Sequence, residues 1–527
     1  MDKQAIIRSA GLVGAFVLLS RVFGLVRDMA MAALFGSSPA MDAFVVAFTI
    51  PNLFRGLFGE GALSSAFVPV FTETLQTRGR PEAWRFAASL AAFLAAGLAA
   101  LVGGGILLAG LARGLLPLSP RIGLILELLQ IMLPYTLFIC LAAFFSAMLN
   151  SLRRFVLPAA TPVAMNLIMI AALLAVCPLL PADGNGRILA VAWSVIAAGA
   201  VQGVMQLPPL LRAGFRPRLS ADWHDPRLRR VWALMGAAII GVGGTQVQVL
   251  LGRGMAVWIG AGSASYLYYA ERLIYLPLGI FATALGTILL PAFSVFAARE
   301  RPDLMLDTLA HSLRQLLFIM LPAAAGLLAL AAPIVGLVYE RGDFTALAAA
   351  QTARVVQCYA PGLVLFSLLK VLVPVFYARQ DMATPVRIGL ACTGLNVLLM
   401  LALMGPLKHA GLALASVLAA GAQAAILALA IHRRVGSPGW PRLLAAAARM
   451  ALAALIMALA ARGLFAWAQL AGWPDALPPP LARHAPLALA LLAAPPIYAT
   501  AAALLGCGEL RDLWAAFRRR AGSRASG

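Results

Sequence analysis

The chain is a succession of apolar segments, each about twenty residues or longer, joined by short connections that hold most of its charge. A helix crossing the roughly 30 Å hydrocarbon core of a bilayer needs about 20 predominantly apolar residues. Fourteen such segments are recognisable, at 9–35, 41–71, 86–110, 122–149, 157–178, 188–211, 231–258, 264–297, 304–332, 346–377, 384–404, 410–432, 443–468 and 484–506. Segments longer than the core requires must tilt, kink or extend beyond it. Composition removes the soluble alternative. Of 527 residues, 62% are hydrophobic and 12% charged, against roughly 45–50% and 25% in soluble domains. Several soluble domains could not clothe their surfaces with so few charges. The expected fold class is an all-α polytopic membrane protein with about fourteen transmembrane helices.

The charge is lopsided, 41 Lys and Arg against 20 Asp and Glu, a net +21. In a soluble chain this would point to nucleic acid. In a membrane chain, basic residues orient the loops. One set of connections carries twenty-five of them, from Lys3 and Arg8 through Arg78, Arg153, Arg212, Arg299, Arg379 and Arg433 to Arg524; the other carries six, Arg113, Arg121, Arg187, Arg341, Lys408 and Arg483. This bias places both termini in the cytoplasm and leaves no call for a nucleic-acid partner. The basic loops also suit contact with anionic lipid headgroups. The apolar stretch near the N-terminus is interrupted by Arg21 and lacks a clear cleavage site, so it is expected to be a retained helix. Five cysteines and five histidines show no metal-ligand spacing. The three lysines, Lys3, Lys370 and Lys408, follow no phosphate-binding glycine pattern. No metal, no cofactor and no catalytic constellation is expected.

The halves resemble each other at a nearly constant offset. Met31-Ala32 before Gly36 matches Met255-Ala256 before Gly260, 224 residues on. Pro69 matches Pro291 at 222, Gln130 and Pro134 match Gln357 and Pro361 at 227, and Thr161-Pro162 matches Thr384-Pro385 at 223. Four matches in the same order argue for duplication. Each repeat holds six spans, an even number, so the two run parallel; transporters of this kind bind substrate between their halves. The expected division is 1–220 and 221–436 for two six-helix lobes around a central cavity, 437–510 for two additional helices, and 511–527 for a basic cytoplasmic tail.

Ten basic residues lie inside or at the edges of the spans. Arg314, Arg354, Arg449 and Arg462 sit near span ends, where long side chains can reach the interface; the acidic Glu127 is similarly placed. The others cluster at membrane depth, where a charge costs about 2.5–3.5 kcal/mol. Arg21, Arg27 and Asp28 share the first span; Asp42, Asn52, Arg55 and Glu60 the second; Glu271 and Arg272 the eighth; Lys370 the tenth; Arg253 the seventh. Arg21 and Asp28 are seven apart and share a face, whereas Arg27 and Asp28 diverge by about 100°. Such charges either pair between packed helices or line a wet cationic cavity. The excess of arginine favours the cavity, and guanidinium matches phosphate oxygens bidentately. Gly56, Gly59 and Gly61 are hinge candidates, or sites of close helix packing.

Several motifs resemble those of the MurJ/MviN family of bacterial lipid II flippases. They are Ser20-Arg21 through Gly24 to Arg27-Asp28; Asp42-Ala-Phe with Pro51-Asn52 and Arg55; and Glu60-Gly61-Ala62 through Pro69. The second half continues with Tyr268-Tyr269-Ala270-Glu271-Arg272, Pro277-Leu-Gly279 and Gly286-Thr287. Phe376-Tyr377-Ala378-Arg379-Gln380-Asp381 and Gly405-Pro406-Leu-Lys408-His409 complete it. The resemblance runs from about residue 9 to about 430. It implies the multidrug/oligosaccharidyl-lipid/polysaccharide exporter fold. It also implies a bacterial inner-membrane location and a substrate, the undecaprenyl-pyrophosphate-linked peptidoglycan precursor lipid II. The two additional helices would form a groove for the lipid tail. The family's functional arginines fall on Arg21, Arg27, Arg55 and Arg272, with Asp28 beside them and Lys370 in a matching stretch. Membrane lipids and the cell-wall synthesis machinery are the implied partners, and an ion or the membrane potential the implied energy source. Two features depart from the pattern: Tyr275 replaces a polar or acidic residue found in some relatives, and Arg253 belongs to no motif. The rival readings are an exporter of another lipid-linked sugar or of drugs, and a non-transporting scaffold for envelope assembly.

Overall fold

The structure, a computed structural model, describes residues 3–58, 63–182, 184–217, 225–471 and 478–510. Among these residues the regular structure is entirely helical. In chain order the helices are α1 (Lys3–Phe35), α2 (Pro39–Leu57), α3 (Leu63–Thr77), α4 (Gly79–Leu115), α5 (Pro120–Ser151) and α6 (Val156–Ala171). Then come α7 (Gly186–Val204), α8 (Leu207–Arg212), α9 (Pro226–Ile259), α10 (Ser263–Pro277), α11 (Thr283–Ala298) and α12 (Pro302–Ala329). The series ends with α13 (Ala331–Tyr339), α14 (Ala346–Ala378), α15 (Ala383–Arg434), α16 (Trp440–Leu470) and α17 (Pro479–Leu504). Single π-helical turns follow α6 at Ala172–Val176 and α10 at Leu278–Ala282.

Ten of the described helices are long and apolar enough to cross a membrane, fewer than the fourteen spans expected. The other expected segments coincide with α1, with α9, with the broken pair α10–α11, and with the second arm of α15. That 52-residue helix is bent at Lys408, whose φ of 52° and ψ of −135° are non-helical. Pro406 just before it withdraws a backbone donor, which favours the break there.

The duplication is visible in how helices start and stop. Ser119 caps α5 by accepting from the Ile122 N–H, and 226 residues later Thr345 caps α14 by accepting from the Ala348 N–H. At the far ends, Arg153 and Gln380 take positive φ, 60° and 61°. The Arg154 N–H then reaches the Leu149 carbonyl and the Asp381 N–H the Phe376 carbonyl, closing the same terminal motif 227 residues apart.

The chain forms two compact units, Met1–Ser265 with Arg341–Phe344, and Tyr266–Glu340 with Thr345–Gly527. The boundary expected near 220 is not where the first unit ends, because α9 packs against α2 and α3. In the first unit α5 is central, touching α2, α4 and α7, while α1 packs on α6. Its aromatic core joins α3, α4 and α5: Phe67 meets Phe144 edge-on at 4.7 Å, and Trp84 and Phe71 extend the cluster. The segment Arg341–Phe344 interlocks with the turn after α1. A Cβ on Gly36 would fall 2.2 Å from the Asp343 carbonyl oxygen, and one on Gly342 2.2 Å from that of Ala33, so both positions require glycine.

In the second unit α14 packs on α11, α12 and α15. The additional helices α16 and α17 pack on each other and, through α16, on α12. Their seam is built of Ala446, Ala453, Ala454, Ala458, Ala461, Ala490 and Ala502, small residues that let helix backbones approach.

Candidate anion-binding arginines

In the first unit, Arg27 lies on the inner face of α1, 9% exposed. Its Nε and Nη2 donate to Asp28 Oδ1 at 3.1 and 2.7 Å, and its Nη1 donates to Asn166 Oδ1 at 2.9 Å. The helical-wheel divergence of Arg27 and Asp28 therefore does not keep them apart. The arginine stem is long enough to fold back across its own helix. Asn166, on α6, is buried and donates through Nδ2 to the Ser20 carbonyl at 2.9 Å. One amide thus ties the α1 backbone to its guanidinium. Arg21, one and a half turns earlier, is half-buried on the same helix.

On α2, Arg55 donates through Nε to Asn52 Oδ1 at 2.8 Å, an i,i+3 contact that aims the guanidinium along the helix. Gly56 next to it is a packing residue: a Cβ there would come 2.6 Å from Gln246 Nε2 of α9. The further candidates Gly59, Glu60 and Gly61 lie outside the described residues.

Asp42 has a different setting. It is fully buried in the first turn of α2. Oδ1 accepts from the Ser265 N–H at 2.8 Å and its hydroxyl at 2.7 Å; Oδ2 accepts from the Gly262 N–H at 2.6 Å and Arg121 Nη2 at 2.7 Å. Four donors fill the roughly four lone-pair sites of a carboxylate. Asp42 is thereby committed to holding the corner Gly260–Ser265. Arg121 completes the arrangement by donating to the Val257 and Gly260 carbonyls at the end of α9. Sequence reasoning had assigned Arg121 only to a loop. Arg253, unassigned by any motif, is buried and donates to the Ala264 carbonyl at 2.9 Å, so it braces the same corner.

In the second unit, Glu271 accepts from the Tyr359 hydroxyl at 3.2 Å. Arg272 is exposed, with its guanidinium carbon 4.6 Å from the centre of the Tyr268 ring. A cation over a tyrosine face keeps its charge and gains about 0.5–2 kcal/mol. The neighbouring Tyr269 packs its ring at a tilt against Tyr339, centroids 4.9 Å apart, and the Tyr339 hydroxyl donates to the Tyr269 carbonyl. Lys370, on α14, is exposed. Its carbonyl loses the usual helical donor because residue 374 is proline, and Gly286 of α11 packs closely against it.

The charges at span ends settle as helix caps and pairs. Arg449 and Arg462 donate to the Gly506 and Ala329 carbonyls, where helix C-termini attract cations. Arg314 pairs with Glu509 at 3.4 Å and Arg113 with Glu127 at 3.2 Å.

A family described as "Lipid II flippase MurJ" matches residues 31–478. The "Lipid II flippase MurJ" of Burkholderia cenocepacia is 34% identical over 528 residues, covering 97% of this chain and 98% of its own. The chain belongs to the MurJ family. The "Probable lipid II flippase MurJ" of Vibrio cholerae is 35% identical over 447 residues, 81% of this chain and 83% of its own. Among solved structures, "Lipid II flippase MurJ, inward closed conformation" superposes with a TM-score of 0.76 at 23% identity, covering 95% of this chain and 99% of that one. A multidrug resistance MATE transporter of the MOP superfamily superposes at 0.66 with 12% identity, covering 81% and 98%. The MurJ fold is thus shared, and with it a multi-pass helical membrane architecture.

Within this MurJ chain, Asn166 and Arg121 are the residues that sequence reading missed. Neither stands near its partner in the chain: Asn166 is 139 residues from Arg27 and Arg121 is 79 from Asp42. A single asparagine in an apolar span was the available signal for Asn166, since an amide at membrane depth needs a partner.

Proposed function

We propose that this protein is a lipid II flippase, moving the undecaprenyl-pyrophosphate-linked peptidoglycan precursor from the cytoplasmic to the periplasmic leaflet of the bacterial inner membrane. The observation that carries this reading is Arg27, a guanidinium at membrane depth fixed from two helices by Asp28 and Asn166. This fixes a positive charge at membrane depth, and a pyrophosphate is the anion the family's name implies; the match to a lipid II flippase at 34% identity over 97% of the chain supports the same reading. In the first unit Arg21 and Arg55 are further candidates for the headgroup, Asn52 aiming Arg55, and in the second unit Arg272, Lys370 and Glu271 are candidates of their own. Asp42 is left to the fold, its acceptors being filled by Arg121, Gly262 and Ser265. Transport proceeds by alternating access with no bond made or broken; substrate drives the change only by binding the two states unequally.

The excess of Lys and Arg on one set of loops supports cytoplasmic termini. The paired helices α16 and α17 supply the surface for the polyprenyl tail. The membrane potential, acting on the arginines, biases return of the empty carrier, at about 2.3 kcal/mol per charge per 100 mV. Collapsing the potential across proteoliposomes should then slow translocation; an unchanged rate discards that coupling.

The decisive experiment is depletion. Cells losing this protein should lyse while lipid-linked precursor accumulates on the cytoplasmic face, and proteoliposomes carrying it should expose labelled lipid II to an outer-leaflet probe. Normal leaflet exchange in cells after depletion would remove the reading. A drug exporter, whose substrates are commonly cationic, has no comparable use for fixed arginines.

A further inference from the structure

Within the second unit, the additional helices α16 and α17 are fastened to α12 and α13 at both ends and in the middle. At one end Arg483 of α17 pairs with Glu340, just after α13, at 2.9 Å, and Arg462 of α16 donates to the Ala329 carbonyl that closes α12. At the other, Arg314 of α12 pairs with Glu509, beyond α17, at 3.4 Å. Both ion pairs have arginine side chains at least 40% exposed, and pairs so solvated add little.

The middle contact is of another kind. Tyr498 of α17 is 6% exposed. Its ring packs on that of Phe318 of α12 with centroids 5.1 Å apart, and its hydroxyl donates to the Phe318 carbonyl at 2.9 Å. That carbonyl lacks its usual helical donor because residue 322 is proline. One side chain therefore fills the gap that one proline leaves, within an apolar seam of Met450, Ala454, Met457 and Ala501. At membrane depth no water replaces such a hydrogen bond.

Helix α17 depends on a fixture of this sort. Pro495 and Pro496 withdraw the donors for the Leu491 and Leu492 carbonyls, so two consecutive backbone bonds are missing just before Tyr498. A helix interrupted in this way bends there, and its course is set by what it docks on. Leu491 and Leu492 are themselves exposed, as are Leu455 and Leu459 of α16. These leucines are apolar surface that the pair leaves uncovered.

We propose that Tyr498 is a positioning residue for the lipid tail. By keying α17 to the Phe318 carbonyl, it fixes where Leu491 and Leu492 stand relative to α16, and with them the apolar surface offered to a long polyprenyl chain. The proposal rests on the flippase reading, in which this helix pair carries the tail, and deepens it by naming the residue on which preference for a long tail depends. Tyr498 is buried and acts through the helix.

The test compares two probes on the purified full-length protein: lipid II with its undecaprenyl tail, and an analogue with the same headgroup on a farnesyl tail. The parent should bind the long-tailed probe more tightly. Tyr498→Phe, which keeps the ring and loses the hydroxyl, should weaken binding of the undecaprenyl probe about fivefold and leave the farnesyl probe within about twofold. Adding Pro322→Ala to Tyr498→Phe returns an N–H to the Phe318 carbonyl without restoring the link to α17. Thermal stability should then recover while the long-tail preference stays lost. Recovery of that preference along with stability would mean that Tyr498 serves folding alone, which overturns the proposal. An equal effect of Tyr498→Phe on both probes, or on neither, overturns it too and leaves the flippase reading standing. If the parent binds both probes equally, tail recognition falls and the proposal with it; if it binds neither, the flippase reading itself fails.

Discussion

Arg27 and Arg272 carry the same charge on membrane helices of the two units, yet they are held in opposite ways. Arg27 is buried and gripped by the hydrogen bonds it donates to Asp28 and Asn166. Arg272 is exposed and rests on an aromatic face. Hydrogen bonds to a carboxylate and an amide fix direction but occupy donors. A ring fixes position by contact with the face of the guanidinium. The first arrangement builds a rigid charge into the helix packing; the second holds an exposed one against an aromatic side chain. Removing each should therefore have different consequences, although both variants lose transport.

Arg27→Ala should be the more damaging. It strands Asp28, 2% exposed, as a buried charge without its arginine. Breaking such a pair costs about 3–5 kcal/mol. Thermal unfolding in detergent should show a marked loss, and the double variant Arg27→Ala with Asp28→Asn should recover much of the stability but none of the flipping. Arg272→Ala should melt like the parent while losing lipid II binding. Equal melting of the two single variants would erase the contrast.

Asp42→Asn comes next. The amide keeps one acceptor oxygen but replaces the other with a donor facing the Gly262 N–H and Arg121. A loss of about 2–4 kcal/mol is expected, read as destabilisation with unchanged affinity for detergent-solubilised lipid II. An affinity loss at unchanged stability would return Asp42 to the binding site.

Asn166→Leu tests the grip on Arg27 more gently. It removes one acceptor and leaves Asp28 in place, for about 1–3 kcal/mol. Lipid II binding should weaken several-fold, and Asn166→Gln should restore part of it only if the longer amide reaches both Ser20 and Arg27. Unchanged binding in Asn166→Leu would show that Asp28 alone orients Arg27.

The smallest effect lies outside the membrane. Asp381 accepts from the Thr384 N–H at 3.0 Å and from Arg434 at 2.8 Å. These contacts, the Thr384 hydrogen bonds first, hold its carboxyl below the usual range. A depressed folded-state pKa gives stability that is present above the unfolded value, about 3.9, and is lost as pH falls through the folded one. Asp381→Asn should flatten the acid limb of the stability profile slightly, because the pair is largely solvated. A change near neutral pH would contradict this assignment.

Most of the architecture is legible along the chain because burial in lipid writes itself locally. A bilayer demands about 20 apolar residues per crossing whatever the neighbours are, so segment positions, the repeat and the intramembrane arginines are visible one residue at a time. The same locality shows Asp381 and Thr384 beside the basic Arg379. What required the tertiary structure was pairing. Helical geometry separates Arg27 from Asp28 by about 100°, but a flexible side chain overrides it. Asp42 is recognisable as a costly charge; only the fold shows it saturated by Arg121, Gly262 and Ser265. Helix α9 belongs by sequence to the second repeat and by packing to the first unit. Hydrophobic patterning states which face must be covered without stating by which helix, and hydrogen-bond partners up to 223 residues apart leave no periodic trace. The sequence by itself determined that this is a helical membrane protein with arginines where lipid should be. The tertiary structure decided how each is held, Arg27 by Asp28 and Asn166 and Arg272 over the Tyr268 ring, because those partners are set by packing and side-chain reach.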